Sequence, residues 1–375
     1  MTNHKAGLYI HVPFCAKKCA YCDFYSLSGR ADVMDLYLSA LVREIDGYRR
    51  QERIEIDTVY FGGGTPSPLG AGRLAAILDA VVEVFSLSTD SEITTEINPV
   101  TDSLSLQRDL KAAGFNRISV GVQSTSDAEL SALGRPHTAA EALDALAHIR
   151  AAGFENFSAD LMYAIPGQST ASFQKTLSDV LSFDPPHLSV YGLIVEPGTP
   201  FFDRRDALSF PGDDAERDLY DLCCSTLEQA GYEHYEISNY ARPGRRCRHN
   251  LKYWRLSPYI GCGPAAHSFF DGVRYANRAD LDAYLTAPLS LRYTEERPTP
   301  RDLAEEYAML GLRLKEGISL SRFRRMSGHD FAYTAKEAER RCISAGYMTE
   351  VGDRLALTEE GFYVSNAILA ELSGD

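Results

Sequence analysis

The sequence predicts an α/β protein whose core is a barrel or partial barrel of parallel strands. Three observations support this fold class: short apolar segments alternate with helical patterns, glycines follow the helices, and polar residues stand where strands end. The predicted strands are Leu8–Phe14, Thr58–Gly62, Glu92–Asn98, Arg117–Gln123, Ser158–Ala164 and His187–Ile194. The helices between them are Val33–Arg50, Gly72–Phe85, Leu104–Ala113, Ala139–Ala152 and Ala171–Ser182. Such alternation is typical of a parallel sheet covered by helices.

A recurring junction marks the end of several helices. A helical pattern is followed by glycine and an aromatic residue at 111–124, 150–167, 228–238 and 343–352. Glycine readily adopts the left-handed conformation that ends a helix, and the aromatic side chain then packs back on the last turn. We interpret these segments as helix-to-strand junctions rather than as a repeat.

The residues at the strand ends favour a barrel over an open doubly wound sheet. Cysteines follow the first strand and a Gly-Gly-Gly-Thr-Pro run ends the second, while Glu96 and Gln123 end the third and fourth and Asp160 lies in the fifth. In a barrel the carboxyl ends of many strands carry the chemistry, whereas an open sheet uses mainly its switch point.

The composition limits the classes of partner and compartment. The chain has 375 residues and a formal net charge of −14. Nucleic-acid binding needs a basic surface, so we expect no nucleic-acid partner, and RNA modification is disfavoured. The sequence has no apolar run of the length of a signal peptide or a spanning helix, and we expect a cytoplasmic protein. Clustered cysteines there bind metals or act in catalysis more often than they form disulfides.

Three regions are predicted along the chain. Residues 1–200 form the barrel, 201–295 extend it, and 296–375 form a small winged-helix-like α+β domain. The last region contains three helical patterns and then a hairpin with a Gly-Asp turn in GYMTEVGDRLALTEEGF. We expect this domain to pack against the barrel rather than to read nucleic acid.

Three cysteines near the N-terminus, Cys15, Cys19 and Cys22, form a C-x3-C-x2-C run. A structural zinc site needs four ligands and would require a distant fourth residue. The candidates for that residue are His11, Cys247 and Cys262. A [4Fe–4S] cluster held by three thiolates keeps one iron open, and an open iron binds the amino and carboxylate groups of S-adenosylmethionine. The spacing favours the cluster and leaves zinc open.

The cysteine run and several further segments of the sequence carry a family resemblance. A C-x3-C-x2-C run after a first strand is the signature of the radical S-adenosylmethionine superfamily. The further segments are YIHVPFC, YFGGGTPS, TTEINP, ISVGVQS, DLMYAIPGQ and LSVYGL. In these segments, over residues 7–370, the sequence resembles the oxygen-independent coproporphyrinogen III oxidase family. The resemblance implies a partial (β/α)6 barrel with a [4Fe–4S] cluster and S-adenosylmethionine as cofactors.

The same resemblance implies roles for individual residues. The cluster ligands are Cys15, Cys19 and Cys22. The residues matched to S-adenosylmethionine contacts are Tyr9, Tyr21, Gly63, Gly64, Thr65, Glu96, Gln123, Arg135, Asp160 and Ile194. By this match Tyr9 lies near the methionine moiety, Arg135 meets the carboxylate as a fork, and Ile194 contacts the adenine through its backbone. The glycines let the backbone approach the ligand closely.

The family includes two different activities. One is the oxidative decarboxylation of coproporphyrinogen III, and the other is haem binding and transfer by HemW-type chaperones. The oxidase pattern continues to a fourth cysteine in C-x-C, whereas here Cys22 is followed by Asp23 and Phe24. The oxidase also has a long extension before the cluster, whereas 14 residues precede Cys15 in this sequence. Both differences favour the chaperone, with the oxidase as the alternative.

A basic and aromatic stretch, RRCRHNLKYWR at 245–255, favours the same branch. Its residues His249, Asn250, Tyr253 and Trp254 match the H-N-x-x-Y-W motif of HemW-type proteins. Imidazole is a usual axial ligand of haem iron, and aromatic faces suit a porphyrin. Cys247 offers a second or competing ligand. The five basic residues of the stretch are expected to neutralise the haem propionates.

We therefore predict a haem chaperone with a radical S-adenosylmethionine core. Its expected cofactors are the [4Fe–4S] cluster, S-adenosylmethionine and haem. Its expected partners are haem-donor and haem-acceptor proteins, and both transient contact with membrane-bound acceptors and dimerisation are compatible with this interpretation. The sequence does not say whether the adenosyl radical is formed, on what substrate, or how haem is attached.

Overall fold

Parallel strands form the middle of the molecule. The computed structural model describes residues 5–373. Six strands that follow one another along the chain are β1 Ala6–Val12, β2 Glu55–Gly63, β3 Ser86–Ile97, β4 Arg117–Gln123, β5 Phe157–Tyr163 and β6 His187–Gly192. They pair in parallel in exactly this chain order. Two short strands, Phe14–Cys15 and Leu27–Ser28, pair with each other beside β1.

Shorter strands extend both edges of the parallel sheet. They are β7 Glu233–Glu236, β8 Asn239–Ala241, β9 Tyr259–Cys262, β10 His267–Phe270, β11 Val273–Asn277 and β12 Arg292–Glu296. The twelve-stranded sheet runs β12-β11-β10-β9-β1-β2-β3-β4-β5-β6-β8-β7. Strand β9 is parallel to β1, and the other added strands are antiparallel to their neighbours. The sheet ends at β12 and β7 without closing, so the predicted partial barrel is confirmed.

Helices connect and cover the strands. Their bounds are α1 Met34–Asp46, α2 Gly70–Val84, α3 Leu104–Ala112, α4 Asp127–Leu133, α5 Ala139–Ala151, α6 Thr170–Leu181, α7 Pro200–Asp203, α8 Asp213–Gln229, α9 Arg248–Trp254, α10 Leu281–Thr286, α11 Pro300–Gly311, α12 Leu320–Ser327, α13 Phe331–Ser344, α14 Glu359–Tyr363 and α15 Ser365–Ser373. Ser103, Thr138 and Ser169 begin α3, α5 and α6, because each side chain accepts a hydrogen bond from the backbone of the first turn. Within residues 5–373 no helix is both long and apolar enough to cross a membrane.

The predicted glycine junctions are confirmed by backbone conformation. Gly114, Gly153, Gly231 and Gly346 have φ angles of 103°, 82°, 82° and 80°, in the region that favours glycine. The aromatic residue after each of the first three glycines is buried. These residues therefore end the helices and turn the chain towards the next strand.

The two faces of the barrel strands differ in chemistry. In β4, Ile118, Val120 and Val122 are fully buried in the apolar core under the helices. The alternate residues of β4 face the barrel interior, since Arg117, Ser119, Gly121 and Gln123 line one internal cavity. The apolar face fixes the strand in place and leaves the polar face for a site.

The C-terminal region has an apolar cluster of its own, which joins α11 to α15. Its strands are β13 Ile318–Ser319, β14 Met348–Val351 and β15 Arg354–Leu357, paired in the order β13-β15-β14. The β14–β15 hairpin turns at Gly352, where φ is 60°, and α14 follows it. The winged-helix-like topology is thus as predicted. The predicted limits of the three regions stay a prediction, and their outermost residues 1–4 and 374–375 lie outside the described part of the chain.

Candidate functional site

The site is a cavity of about 450 Å³ that runs from the cysteine loop into the barrel interior. Thirteen of the predicted site residues line it. They are Cys15, Cys19, Tyr21, Cys22, Gly63, Gly64, Thr65, Glu96, Gln123, Arg135, Asp160, Ile194 and Asn250. Tyr9 is not among the lining residues; its hydroxyl is hydrogen-bonded to His11 and its ring stacks on Tyr60. The proximity of Tyr9 to the methionine moiety stays a prediction.

The cysteine loop is anchored on both sides. The backbone N–H of Ala20 donates to the carbonyl of Leu133 at the end of α4, and Ala20 accepts from the N–H of Phe201 in α7. Cys19 is buried and the other two thiols are half-buried. Thr65 lies 3.6 Å from the Cys15 sulfur, and an Arg135 Nη1 donates to the Cys19 sulfur at 3.5 Å. The three thiols thus face one cavity from a fixed loop.

The thiols fit a cluster better than a single ion. Within residues 5–373 no three His, Cys, Asp or Glu side chains are grouped to hold one metal ion. The suggested fourth zinc ligands are occupied or remote: both ring nitrogens of His11 are hydrogen-bonded, and Cys247 and Cys262 are buried outside the cavity lining. The thiolates of a [4Fe–4S] cluster each bind a different iron, so they need not converge on one point. Zinc is therefore not supported.

The glycine run joins the cluster loop to the strand ends. The N–H of Gly64 donates to the carbonyl of Val12, and that of Thr65 to the carbonyl of Phe14. Gly63 has a φ of 105°, and a Cβ there would lie 2.5 Å from the His11 ring. The absence of side chains thus lets the run pass directly against the end of β1 and present its backbone to the cavity.

Two carboxyl groups lie on the inner wall of the barrel. Tyr60 donates its hydroxyl to Glu96 at 2.8 Å, and burial raises the pKa of Glu96 to about 7. Asp160 accepts hydrogen bonds from Ser119 and Ser158, and burial raises its pKa as well. Desolvation disfavours the ionised form, so both acids gain from a cation placed beside them.

The remaining predicted contacts, Arg135, Gln123 and Ile194, also line the cavity. Arg135 donates to the carbonyl of Gly121 at 2.8 Å, and its buried Nε has no hydrogen-bond partner in the described structure. Gln123 ends β4 with a φ of 65°, which directs the chain away from the sheet. Ile194 follows β6 and is 66% exposed. An unpaired guanidinium nitrogen at this position fits a ligand carboxylate.

The H-N-x-x-Y-W stretch lies elsewhere than expected, because it forms α9 under the floor of the barrel. Glu92 of β3 accepts hydrogen bonds from the backbone N–H groups of Arg248 and His249, so a buried carboxylate caps the start of α9. Asn250 lines the barrel cavity, whereas Trp254 packs in an apolar cluster with Tyr235 and its neighbours. The motif thus joins the barrel interior to the surrounding core.

The predicted haem ligand is enclosed in this conformation. His249 is 1% exposed; one ring nitrogen is bonded to Thr58 and the other to Tyr253, both at 2.9 Å. Its ring stacks on Tyr60 at 5.1 Å, and burial lowers its pKa to about 3. Cys247 is buried and donates to Glu92, and burial raises its pKa to about 12. Axial ligation by either residue would require α9 to move, so this role stays a prediction.

The basic residues of the stretch are largely neutralised by acids of the same chain. Four of the five form ion pairs: Arg246 with Glu233, Arg248 with Asp90, Lys252 with Asp57 and Arg255 with Glu316. These pairs are the reason that the stretch does not present five unpaired cations. The expectation of a basic surface for two propionates is therefore not supported.

Comparisons with known proteins place the sequence and the fold. Residues 9–180 match the model of the Radical SAM superfamily, and residues 299–364 match that of the HemN C-terminal domain. The heme chaperone HemW of Escherichia coli is 37% identical over 375 residues, covering 97% of both chains. That of Bacillus subtilis is 34% identical over 374 residues, covering 98% of this chain and 99% of the relative.

The chain belongs to the HemW heme chaperone family. Among solved structures, coproporphyrinogen III oxidase (HemN) from Escherichia coli superposes with a TM-score of 0.87 and covers 99% of this chain and 90% of its own. At 24% identity this likeness shows the fold alone. In this HemW-family chain, the three thiols and the cavity beside them fit a [4Fe–4S] cluster and S-adenosylmethionine as cofactors.

Sequence reasoning missed several residues that line the HemW-family cavity. They are Tyr60, Arg117, Ser119, Ser189 and Tyr191. A signal was present for Arg117 and Ser119, which lie six and four residues before Gln123 on β4 and therefore on the same face of that strand. Because alternate residues of a strand face the same side, the strand period could have identified these two cavity residues, for which the family resemblance implies no role.

The affinity for S-adenosylmethionine should increase as the pH rises through about 7, the pKa of Glu96 in the free site. Ionised Glu96 attracts the cationic ligand, whereas the neutral acid does not, so affinity should fall up to about tenfold for each pH unit below that value. Calorimetric titration of the anaerobically reconstituted protein measures this dependence.

Glu96→Gln should remove the dependence, and Glu83→Gln, an exposed change on α2, should keep it. An affinity that does not vary with pH in the unaltered protein would show that Glu96 is not a ligand contact.

Proposed function

We propose that this chain binds haem and transfers it from donor proteins to acceptor proteins. The observation that carries the proposal is the identity of 34–37% with several HemW heme chaperones over nearly the whole chain. The cysteine loop agrees with it, since Cys22 is followed by Asp23 and Phe24 at the cavity wall, without the fourth cysteine of the oxidase pattern.

In addition to haem, the chain binds two cofactors in its radical S-adenosylmethionine core, the [4Fe–4S] cluster and S-adenosylmethionine. We assign the cluster to Cys15, Cys19 and Cys22. We assign S-adenosylmethionine to the predicted contacts that line the same cavity, namely Tyr21, Gly63, Gly64, Thr65, Glu96, Gln123, Arg135, Asp160 and Ile194. When bound, the two cofactors supply reductive cleavage to an adenosyl radical. The residues themselves orient the ligand: Glu96 accepts from its cationic end, Arg135 meets its carboxylate, and the glycine run offers backbone groups.

For haem itself, we propose contacts with His249, Asn250, Tyr253 and Trp254. Because His249 is hydrogen-bonded at both nitrogens, haem ligation exchanges a bond to Thr58 or Tyr253 for a bond to iron. This exchange requires α9 to leave the barrel floor. Trp254 at the end of α9 is half-buried and lies near the surface, where such a movement can begin.

Titration of the reconstituted protein with hemin tests this assignment. His249→Ala should weaken haem binding by at least about tenfold while the cluster absorbance stays unchanged. His267→Ala is the matched control, because His267 is an exposed histidine outside the motif. Equal hemin affinities of the unaltered protein and His249→Ala would remove His249 as a ligand and leave α9 as a structural element.

We further propose that the protein is cytoplasmic. It would reach membrane-bound acceptors through transient contacts, and it would form a dimer. The eight cysteines are free thiols, which agrees with a reducing compartment. Light scattering of the purified protein, with and without hemin, distinguishes a monomer from a dimer.

The oxidase alternative has its own test. The reconstituted protein is incubated anaerobically with coproporphyrinogen III, S-adenosylmethionine and a reductant, and the tetrapyrroles are separated afterwards. We expect no decarboxylated product. Accumulation of such a product would favour the oxidase over the chaperone.

A further inference from the structure

The deepest part of the barrel cavity has a cationic floor. Arg117 is the first residue of β4, and its side chain lines the cavity although the residue is only 2% exposed. Gln123, the proposed S-adenosylmethionine contact on the same inner row, is six residues away, which at about 3.3 Å per residue is about 20 Å along the strand. The Arg117 end of the cavity is therefore distinct from the cluster end.

Arg117 forms no side-chain hydrogen bond or ion pair within the described residues; burial opposes its charge, but the nearby Cys247 and Glu92 favour the charged form and raise its pKa. Its Nε has no hydrogen-bond partner in the described structure, and no ion pair formed among residues 5–373 includes it. Two acids on the strands beside β4 are hydrogen-bonded elsewhere: Glu92 of β3 caps α9, and Asp160 of β5 accepts from Ser119 and Ser158. A buried charge without a hydrogen-bonded partner is costly for folding, so such a group is typical of a binding site.

Neutral polar side chains line the same cavity as the guanidinium. Ser119 and Ser189 project from β4 and β6, and Asn250 of α9 contributes its amide from the floor. A planar guanidinium binds a carboxylate in a two-bond fork, and the Asn250 amide can add a further donor to its oxygens, whereas the Ser119 hydroxyl already donates to Asp160. The acids Glu96 and Asp160 line the same cavity and repel a ligand that carries more than one negative charge. A carboxylate with a single charge therefore fits this site better than a phosphate.

We infer that Arg117 and Asn250 form the anchor of a second ligand site, which binds the carboxylate of a small molecule inside the barrel beside S-adenosylmethionine. The ligand is small because the cavity of about 450 Å³ also holds S-adenosylmethionine, which leaves no room for a haem. This inference goes beyond the proposed haem transfer, because it assigns the radical S-adenosylmethionine core a substrate site that does not bind haem.

Propionate is a suitable probe, with the uncharged propionamide as its isostere. The reconstituted protein is first saturated with S-adenosylmethionine, and binding of each probe is then followed by saturation-transfer NMR. We expect saturable binding of propionate and at least about tenfold weaker binding of propionamide. If propionate binds the protein without S-adenosylmethionine but not the protein saturated with it, S-adenosylmethionine itself occupies Arg117. That result would overturn the proposal.

Variants locate the probe. Arg117→Gln should weaken propionate binding at least about tenfold, Arg117→Lys should recover part of it, and Arg108→Gln, the same change at an exposed site on α3, should have no effect. If Arg117→Gln does not fold, Asn250→Ala carries the test and should weaken propionate severalfold with the cluster intact. Equal propionate binding by the unaltered protein and by folded Arg117→Gln, or by Asn250→Ala where Arg117→Gln does not fold, overturns the proposal. Hemin titration of Arg117→Gln should give the affinity of the unaltered protein, which separates this test from that of haem binding.

Discussion

Cys19→Ala is expected to abolish the visible absorbance of the [4Fe–4S] cluster after anaerobic reconstitution. In the described structure three thiols line the cavity, and two remaining thiolates do not hold a four-iron cluster that already lacks a fourth protein ligand. Cys19 is the most enclosed of the three at 7% exposure, and its sulfur accepts from Arg135. Iron and sulfide analysis should fall to background together with the absorbance.

The matched control for this experiment is Cys224→Ala. Cys224 is a half-buried free thiol on α8, outside the cavity lining, and its loss should leave the cluster at full strength. A full cluster spectrum in Cys19→Ala would mean that a different set of residues holds the metal. Loss of the cluster in both variants would point to general instability rather than to ligation.

Gly64→Ala is expected to destabilise the protein and to remove S-adenosylmethionine binding. A Cβ at Gly64 would lie 2.6 Å from the Phe14 carbonyl oxygen and 2.9 Å from that of Val12. Both contacts are with backbone, which cannot rotate away, so the glycine run and the cluster strand must separate. We expect a loss of about 3 kcal/mol in the free energy of unfolding, measured by denaturant titration.

Gly72→Ala provides the comparison on the adjacent helix α2. A Cβ there meets nothing within 4 Å, and alanine favours the helix by up to about 1 kcal/mol over glycine. This variant should be as stable as the unaltered protein or more stable, with normal ligand binding. A Gly64→Ala protein that binds S-adenosylmethionine normally would contradict the close packing of the two segments.

Much of the barrel could be predicted because local signals and global fold agree. Strand β4 runs from Arg117 to Gln123 as predicted, since its apolar residues alternate and glycine turns precede it. The cavity residues at strand ends were predictable for a related reason: parallel strands bring their carboxyl ends to the same edge, whatever their separation in sequence.

The floor of the barrel could not be predicted in the same way. The composition of α9 suggests an exposed haem surface, but its contacts come from distant strands: Thr58, which bonds His249, is 191 residues away. Ion pairs with acids from several other segments neutralise its basic residues, and no local pattern encodes them. The edge strands β9 to β12 were also missed, because they are short and do not alternate regularly between buried and exposed residues; β12 is exposed throughout.

The most direct test of the proposed chaperone function is the rate of haem transfer from the loaded protein to a haem-free acceptor. The chain is loaded with hemin and mixed with increasing concentrations of an apocytochrome, and the spectral change is followed in time. Direct transfer predicts a rate that rises with acceptor concentration and exceeds the rate of hemin loss to a passive scavenger. A rate that equals passive loss at every acceptor concentration would contradict the haem chaperone function.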